Sequence, residues 1–492
     1  MLKKSRKFIE LVEGLGKIIN RGNPEVRDIS YDTREVKDGD LFFAWEGVNV
    51  DTHLYIKEAE QKGACCFVVE KPINTKLPYV IVENSKKALA IVSQRFFDFP
   101  QNKLKFIGIT GTNGKTTTSL MIKEIFDNYG FSTGLIGTIW YVYKNKKIKA
   151  KWTTPTSYNL YKILSEMVDE GIEWVIMEVT SHALEQNRVE GINFDVAVFT
   201  NFTQDHLDFH KTMENYKKAK IKLFRKVKNE GCGCFNVDDS NWIDFYNVNF
   251  GKHNILYGLK KVDLKSFKYD AFIKGERLDS KNGLKFFLDY YKKGKGIISL
   301  KVKGIFNIYN ALASSSVAWF LDIPFEYVKH SLENFEQVPG RFEVFEKDGK
   351  IVIVDFAHTP DSLRKILEEA RKFARGKVFV VFGCGGERDY DKRPKMGKIA
   401  EDMADFIILT NDNPRNEKPE KIIKEILNGI SNKNKVEIIF DRYSAIEYGI
   451  KLLGEGEVLV VAGKGHEEYQ DFGKYKIKFS DREVVKKLLG LT

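Results

Sequence analysis

The sequence predicts an α/β protein of three domains, two of them built on parallel sheets. Three observations carry this expectation. Two long blocks alternate buried, strand-like runs with segments of helical periodicity, the pattern of βαβ units joined by right-handed crossovers. A glycine-rich loop joins the first such strand to its helix. Nearly every unusual polar cluster stands just after a strand, where parallel sheets bind their ligands.

Residues 1 to about 102 contain short apolar runs, Asp40–Ala44 and Cys65–Glu70, broken by Gly, Asn and Pro, with Pro100-Gln101-Asn102 reading as a linker. From Lys105 the alternation begins, with strand Phe106–Thr110, helix Lys115–Tyr129, and strands Trp174–Val179 and Val196–Thr200. Between about 255 and 303 the pattern turns strand-like and Lys-rich, which predicts a small antiparallel insertion. A second alternating block follows Pro339-Gly340. Its strands are Ile351–Asp355, Lys377–Phe382, Phe406–Thr410, Val436–Phe440 and Val458–Ala462. The expected domains are 1–102, 103–338 and 339–492.

Composition narrows the function classes. With 43% hydrophobic and 30% charged residues the chain reads as globular, and no apolar run approaches the ~18–20 residues of a membrane span. The basic start, Met1–Lys7, is followed by Glu10 and Glu13, which break any signal core. Five cysteines without paired CxxC knuckles fit a reducing cytosol, and Cys232-Gly-Cys234 reads as free thiols in a loop. The net charge of +11 is densest in Lys144–Lys151, Lys217–Lys228 and Lys292–Lys303. Such runs are solvated faces as a rule, yet a basic surface also suits an anionic substrate or a nucleic acid.

Gly111-Thr112-Asn113-Gly114-Lys115-Thr116-Thr117 follows strand Phe106–Thr110 at once. Strand, glycine loop and helix N-terminus form an anion cradle of backbone N–H groups, with Lys115 as a point charge and the Thr116 hydroxyl offered to Mg²⁺. The strict eight-residue phosphate-loop pattern is not met, since its first glycine falls on Ile109, but the context points to a nucleoside triphosphate. Glu178 ends a buried strand, where a carboxylate is costly unless a metal or cation compensates it. His182, His206 and His210 gather after two of these strands, and His358 follows a third. Several histidines at strand ends beside a phosphate loop point to function.

These clusters resemble the Mur ligase family, ATP-dependent amide ligases that build the peptidoglycan stem peptide. The likeness rests on seven ordered stretches: Gly111–Thr117, Thr153-Thr154-Pro155, Glu178–His182, Asn201–His210, Gly340-Arg341-Phe342, Asp355–Asp361 and Gly463-Lys464-Gly465-His466-Glu467. It is greatest for the branch that adds the third residue to a UDP-N-acetylmuramoyl dipeptide. The resemblance implies a UDP-sugar-binding N-terminal domain, a central P-loop ATPase-like domain with the β insertion, and a C-terminal Rossmann-like domain that binds an amino acid. It also implies a cytoplasmic, monomeric enzyme with no nucleic-acid partner.

Carried over by position, the resemblance gives Gly111, Thr112, Asn113, Gly114, Lys115, Thr116, Thr117, Asn307, Arg341 and Asp355 to ATP. Asn307 and Asn310 fit the adenine side, although Phe306 stands where a histidine is common in the family. Thr116, Glu178, His206 and Lys220 would hold Mg²⁺, with Lys115, Glu178, His206 and Lys220 as the catalytic set. Lys220 matches a lysine that the family carries as a carbamate; taken alone it reads as one solvated lysine of a basic helix. Taken alone, Arg341 reads as a turn arginine and Asp355 as a helix cap. His358 would stand near the transferred phosphoryl group, without an assigned role.

For UDP-N-acetylmuramoyl-L-alanyl-D-glutamate the resemblance names Tyr31, Thr33, Thr153, Thr154, Thr180, Gln186 and Arg188, together with Val48-Asn49-Val50. Thr33 stands where serine is frequent. The stretch Asp412-Asn413-Pro414-Arg415 resembles the signature of ligases that add meso-diaminopimelate. Arg388 and Arg415 would take carboxylates through charge-assisted bonds, and Gly463 and Glu467 the distal amine. L-lysine, which lacks the distal carboxylate, is the alternative substrate. A folylpolyglutamate-synthase-like ligase shares the phosphate loop but not Asp412–Arg415. A nucleic-acid motor would use the basic surplus but not the Arg388/Arg415 pair, and a non-catalytic scaffold would not fill every catalytic position.

Overall fold

In the computed structural model, residues 5–47, 50–278 and 283–491 are described; Val48-Asn49, part of the expected uridine grip, lie outside them. Three sheets organise the chain. The first has five strands in the order Lys17–Ile19, Tyr79–Ile81, Cys66–Val69, Asp40–Phe43 and Asp28–Ser30, parallel except for the first pair. Asp40–Phe43 and Cys66–Val69 are wholly buried, which explains why they read as continuous apolar runs. Pro100–Lys103 is a single helical turn in which Pro100 and Gln101 are buried, not an open linker, and the Gln101 amide donates to Gln94 Oε1 at 3.0 Å.

The central sheet has eleven strands. Seven run parallel: Thr133–Ile136, Trp174–Glu178, Lys105–Thr110, Phe194–Phe199, Val227–Asn236, His253–Gly258 and Ala271–Leu278. Antiparallel strands extend both edges. Trp140–Tyr143 and Lys146–Lys149 close one, while Leu284–Asp289 and Lys295–Leu300 close the other. Two sequence expectations are corrected here. Residues 255 to 303 do not form a separate antiparallel insertion: they prolong the central sheet, their first two strands in parallel. Cys232 and Cys234 are not loop thiols but buried residues of a strand paired on both sides, so they pack as small apolar groups. Alternation of lysine with apolar residues looked like an independent hairpin because periodicity cannot say which sheet a strand joins.

The third sheet has six strands: Glu343–Lys347, Lys350–Asp355, Val458–Ala462, Val378–Phe382, Phe406–Leu409 and Val436–Ile438. All but the first pair are parallel. Apolar faces of both sides of this sheet are covered by helices, so Val378–Phe382 and Val458–Ala462 contain no exposed residue. Its carboxyl ends are tied by one buried ion pair. Arg442 and Asp481 have no exposed side-chain surface and meet at 2.7 Å, and the guanidinium also donates to the carbonyls of Ala462 and Asn411. Those carbonyls immediately precede Gly463 and Asp412. Arg442→Ala leaves Asp481 buried and unpaired, and such breaks cost about 3–5 kcal/mol. We expect a clear drop in the thermal midpoint by scanning fluorimetry; an unchanged midpoint would show that the pair is not holding this end of the sheet. Among the described residues no helix is long and apolar enough to cross a membrane.

Candidate active site

The glycine loop leaves Lys105–Thr110, one residue longer than the expected strand, and enters helix Lys115–Tyr129, whose boundaries the periodicity predicts. Two glycines there are required by geometry. Gly111 has φ +148° and a Cβ on it would stand 1.9 Å from Thr200 Oγ1; Gly114 has φ +87° and a Cβ would meet Asn310 Oδ1 at 2.6 Å. Gly114 begins the helix without a side-chain cap, so the first helical N–H groups are left for an anion. Neighbouring residues brace the loop. Asn113 N–H donates to Asn201 Oδ1 at 2.9 Å, and the Thr200 hydroxyl donates to the Asn113 carbonyl at 2.7 Å. Lys115 folds back to donate to the carbonyls of Gly111 and Thr112, both at 2.8 Å.

Glu178 is fully buried at its strand end. Its carboxylate accepts from Thr116 Oγ1 at 3.0 Å, from Thr138 Oγ1 at 2.9 Å and from the Thr138 N–H at 2.7 Å, and among the described residues no cation pairs with it. A buried carboxylate satisfied only by neutral donors, beside a helix-terminal threonine, fits Mg²⁺, which takes one or two protein oxygens and completes its shell with phosphates and water. No cluster of three His, Cys, Asp or Glu suited to a metal occurs among the described residues. Glu178→Gln should weaken ATP binding about 10-fold or more in Mg²⁺ and leave binding in EDTA unchanged. Isothermal titration under both conditions decides this, and equal weakening would remove the metal from the account.

Lys220 differs from its reading in isolation. It is 1% exposed, not solvated: its Nζ donates to the Gly111 carbonyl at 2.8 Å and lies 4.5 Å from the Tyr216 ring. Burial, aided by the nearby Lys115 charge, pushes its amine well below the usual lysine range, and burial lowers Lys115 too. Two amines thus share one carbonyl at the phosphate loop. No hydrogen bond or ion pair joins Lys220 or His206 to Glu178 or Thr116 among the described residues, so the four expected metal ligands divide into two pairs around the loop.

His206 takes a left-handed backbone, φ 55°, and its Nε2 lies 3.3 Å from Asp205 Oδ2. Its ring packs at 4.7 Å from that of His182, whose pKa burial lowers to about 4; His210, lowered to about 4 for the same reason, meets Ser181 Oγ at 2.9 Å. Asp205 had no role in the sequence reading. It is buried, and His358 reaches it from the third sheet at 3.6 Å while the other ring nitrogen sits 2.7 Å from the Phe356 carbonyl. Burial works against ionisation of Asp205, but His206, His358 and Lys392 together hold it well below the usual carboxylate range.

Further contacts draw the third sheet onto the phosphate loop. Arg341 Nη2 donates to Thr116 Oγ1 at 3.1 Å, its guanidinium lies over Phe356, and its Nε has no partner among the described residues. It is therefore not a turn arginine. Asp355 accepts from the Phe342 N–H at 2.6 Å and is not a helix cap: Thr359 caps the following helix. Asn113 donates to Asp361 at 3.2 Å. One cavity of about 720 Å³ results, with residues of both sheets in its wall.

That cavity brings together Lys115, Thr116, Glu178, His206, Arg341 and Asp355 with Thr153, Thr154, Thr180 and Arg188. Arg188 donates to the Thr154 carbonyl at 2.8 Å and is oriented by Gln186, which stands behind it and outside the lining. Asn307 is likewise behind: Asn310 lines the cavity and donates to Asn307 Oδ1 at 2.9 Å. Tyr31 and Thr33 do not reach it. The Tyr31 hydroxyl is held by Thr156 at 2.9 Å and Asn159 at 3.0 Å, and the Thr33 carbonyl by Lys62. Tyr309, Asp238 and Trp152, to which the sequence reading gives no role, also line the wall; Tyr309 stands between Asn307 and Asn310 and Trp152 just before Thr153, while Asp238 belongs to no motif.

At the far end Arg388, Asp412, Asn413, Arg415, Gly463 and Glu467 line the same cavity. Arg415 has φ 53° and donates to the Gly386 carbonyl at 2.5 Å, and the buried Pro414 lies behind it. The motif Gly463–Glu467 by itself gives Lys464 no role. It is fully buried and donates to Asn413 Oδ1 at 3.0 Å and Glu467 Oε2 at 2.8 Å, fixing both. A Cβ at Gly463, φ +115°, would stand 2.5 Å from Asp412 Oδ2, so glycine is required.

Comparison with known proteins places this arrangement. Family models match the chain in order: "Mur ligase family, catalytic domain" over residues 25–97, "Mur ligase middle domain" over 109–318, and "Mur ligase, glutamate ligase domain" over 340–465. The chain belongs to the Mur ligase family. Among curated Mur ligases it is 42% identical over 480 residues to the UDP-N-acetylmuramoyl-L-alanyl-D-glutamate–2,6-diaminopimelate ligase of Clostridium botulinum, covering 96% of each chain. To the ligase of the same name from Aquifex aeolicus it is 44% identical over 466 residues, 94% of each. A solved structure with that ligase name superposes with a TM-score of 0.66 at 28% identity, covering 99% of each chain.

Proposed function

We propose that this Mur ligase joins meso-diaminopimelate to UDP-N-acetylmuramoyl-L-alanyl-D-glutamate at the expense of ATP, in the cytoplasm and as a monomer. The observation that carries the reading is the single cavity in which a phosphate loop faces the Arg388, Asp412, Asn413, Arg415 and Glu467 cluster. The curated relatives bearing that ligase name support the substrate pair. ATP and a nucleotide sugar are cytoplasmic compounds, which supports the location.

The N–H groups at the start of helix Lys115–Tyr129 would hold the phosphates, with Lys115 exchanging its two loop carbonyls for phosphate oxygens. Mg²⁺, held by Thr116 and Glu178 with the Lys220 carbamate and His206 across the loop, would neutralise phosphate charge. Arg341, with its unpartnered Nε, would add a cation from the third domain. Thr153, Thr154, Thr180 and Arg188 would orient the acceptor so that its terminal carboxylate attacks the γ-phosphorus. The incoming amine then attacks the acyl phosphate and phosphate leaves. Arg388 and Arg415 would hold carboxylates, while Glu467, fixed by Lys464, would take the distal amine.

The test offers the purified protein ATP, Mg²⁺ and UDP-N-acetylmuramoyl-L-alanyl-D-glutamate with a panel of amino acids. Phosphate release should depend on both the nucleotide dipeptide and diaminopimelate. Release that ignores either would overturn the proposal, and preference for L-lysine would replace its second substrate.

A further inference from the structure

Lys392 opens helix Lys392–Met403 and lines the cavity, although it is only 5% exposed. Of the three lysines in that wall, Lys115 donates to the carbonyls of Gly111 and Thr112, and Lys365 pairs with Asp361 at 2.9 Å. Lys392 makes no hydrogen bond or ion pair with any described residue. Asp205, the carboxylate whose charge it helps to stabilise, is already taken by His206 and His358. A lysine amine that lines the cavity, with its donors taken by no described residue, is placed to receive an anionic occupant.

Neighbouring contacts say which anion. Asp389, three residues before Lys392, accepts from Gln204 Nε2 at 3.3 Å, and Lys395, three residues after, donates to Gln204 Oε1 at 2.7 Å. Gln204 lies between Thr203, whose N–H donates to Thr112 Oγ1 at 3.0 Å, and Asp205. The segment carrying Lys392 is therefore clamped on both sides to the loop that braces the phosphate loop. We propose that Lys392 binds the transferred phosphoryl group, an inference that rests on the ligase reading above. A carboxylate oxygen of the acceptor bonds to the γ-phosphorus as the bridging P–O bond breaks and its electron pair leaves with ADP. The amine, its proton lost to solvent, then bonds to the acyl carbon, and the C–O bond breaks with its pair leaving on phosphate. Lys392 donates hydrogen bonds to phosphoryl oxygens in both steps and forms no covalent bond.

The variants are Lys392→Met, which keeps the stem, and Lys392→Arg, which keeps the charge. Lys392→Met should lower kcat about 100-fold with the KM for diaminopimelate within about twofold, and Lys392→Arg should recover part of the loss. Independently of turnover, inorganic phosphate titrated onto the protein with ADP and Mg²⁺ should bind about 10-fold more weakly to Lys392→Met, with ADP affinity unchanged. A raised KM for diaminopimelate at parental kcat would assign Lys392 to the amino acid and overturn the inference. Parental kcat and phosphate affinity would make it a space-filling residue. If the parent itself shows no turnover with the nucleotide dipeptide, the ligase reading fails, and the phosphate titration still decides Lys392.

Discussion

Lys220→Met is expected to give a protein at least as heat-stable as the parent in which ATP turnover driven by the nucleotide dipeptide falls about 100-fold or more. The stability half follows from burial. Lys220 is 1% exposed, has no carboxylate partner among the described residues, and shares the Gly111 carbonyl with Lys115. Methionine fills nearly the same volume without a polar amine to desolvate, and the Gly111 carbonyl keeps Lys115 as a donor when Lys220 is gone. The activity half follows from what a neutral amine can become. Held well below the usual lysine range, it is free to add CO₂, and the resulting carbamate would be an anion placed beside the Lys115 cation and the nucleotide metal. A site that is costly to stability yet kept at the phosphate loop is the signature of function. Scanning fluorimetry and phosphate release check the two halves, and ¹³C-labelled CO₂ should give a carbamate resonance in the parent that Lys220→Met lacks. A fully active Lys220→Met would remove this residue from the catalytic set.

Arg415→Ala is expected to raise the KM for diaminopimelate roughly 10- to 100-fold, the worth of one hydrogen-bonded charge pair, with the KM for ATP changed less than about twofold. Arg415 is half-buried, its left-handed backbone is anchored through the Asp471 carbonyl, and one guanidinium nitrogen is spent on Gly386, so the remaining donors are directed rather than mobile. The same change should narrow any preference for diaminopimelate over L-lysine, because only the former has a distal carboxylate to lose. Initial-rate kinetics with both amino acids check it. Equal effects on ATP and diaminopimelate would sink the assignment of this arginine to the amino acid.

Much of this arrangement was legible in advance. The phosphate loop, the helix Lys115–Tyr129 and the strand Val458–Ala462 were read to the residue, because buried parallel strands are continuous apolar runs and glycine loops leave no alternative at their turns. Asn201–His210 and Asp355–Asp361 were recognised as motifs, but their meeting through Asp205 and His358 was not. Nothing in either segment encodes a contact between side chains 153 positions apart. Tyr31 and Thr33 lie outside the cavity lining, and a position in a motif does not say that Thr156 and Asn159 take the Tyr31 hydroxyl.

Local pattern therefore settled what each segment is: strand, helix or anion loop, and the order in which the chemistry is strung along the chain. Packing settled what each side chain is for. In sequence Lys220, Lys392 and Lys464 are three lysines among 79 Lys and Arg residues. Folded, one is buried beside the phosphate loop, one lines the cavity with no partner among the described residues, and one is locked to Asn413 and Glu467. The physical reason is that periodicity reports the average environment of a face, whereas burial and pairing of a charge depend on which distant segments close over it.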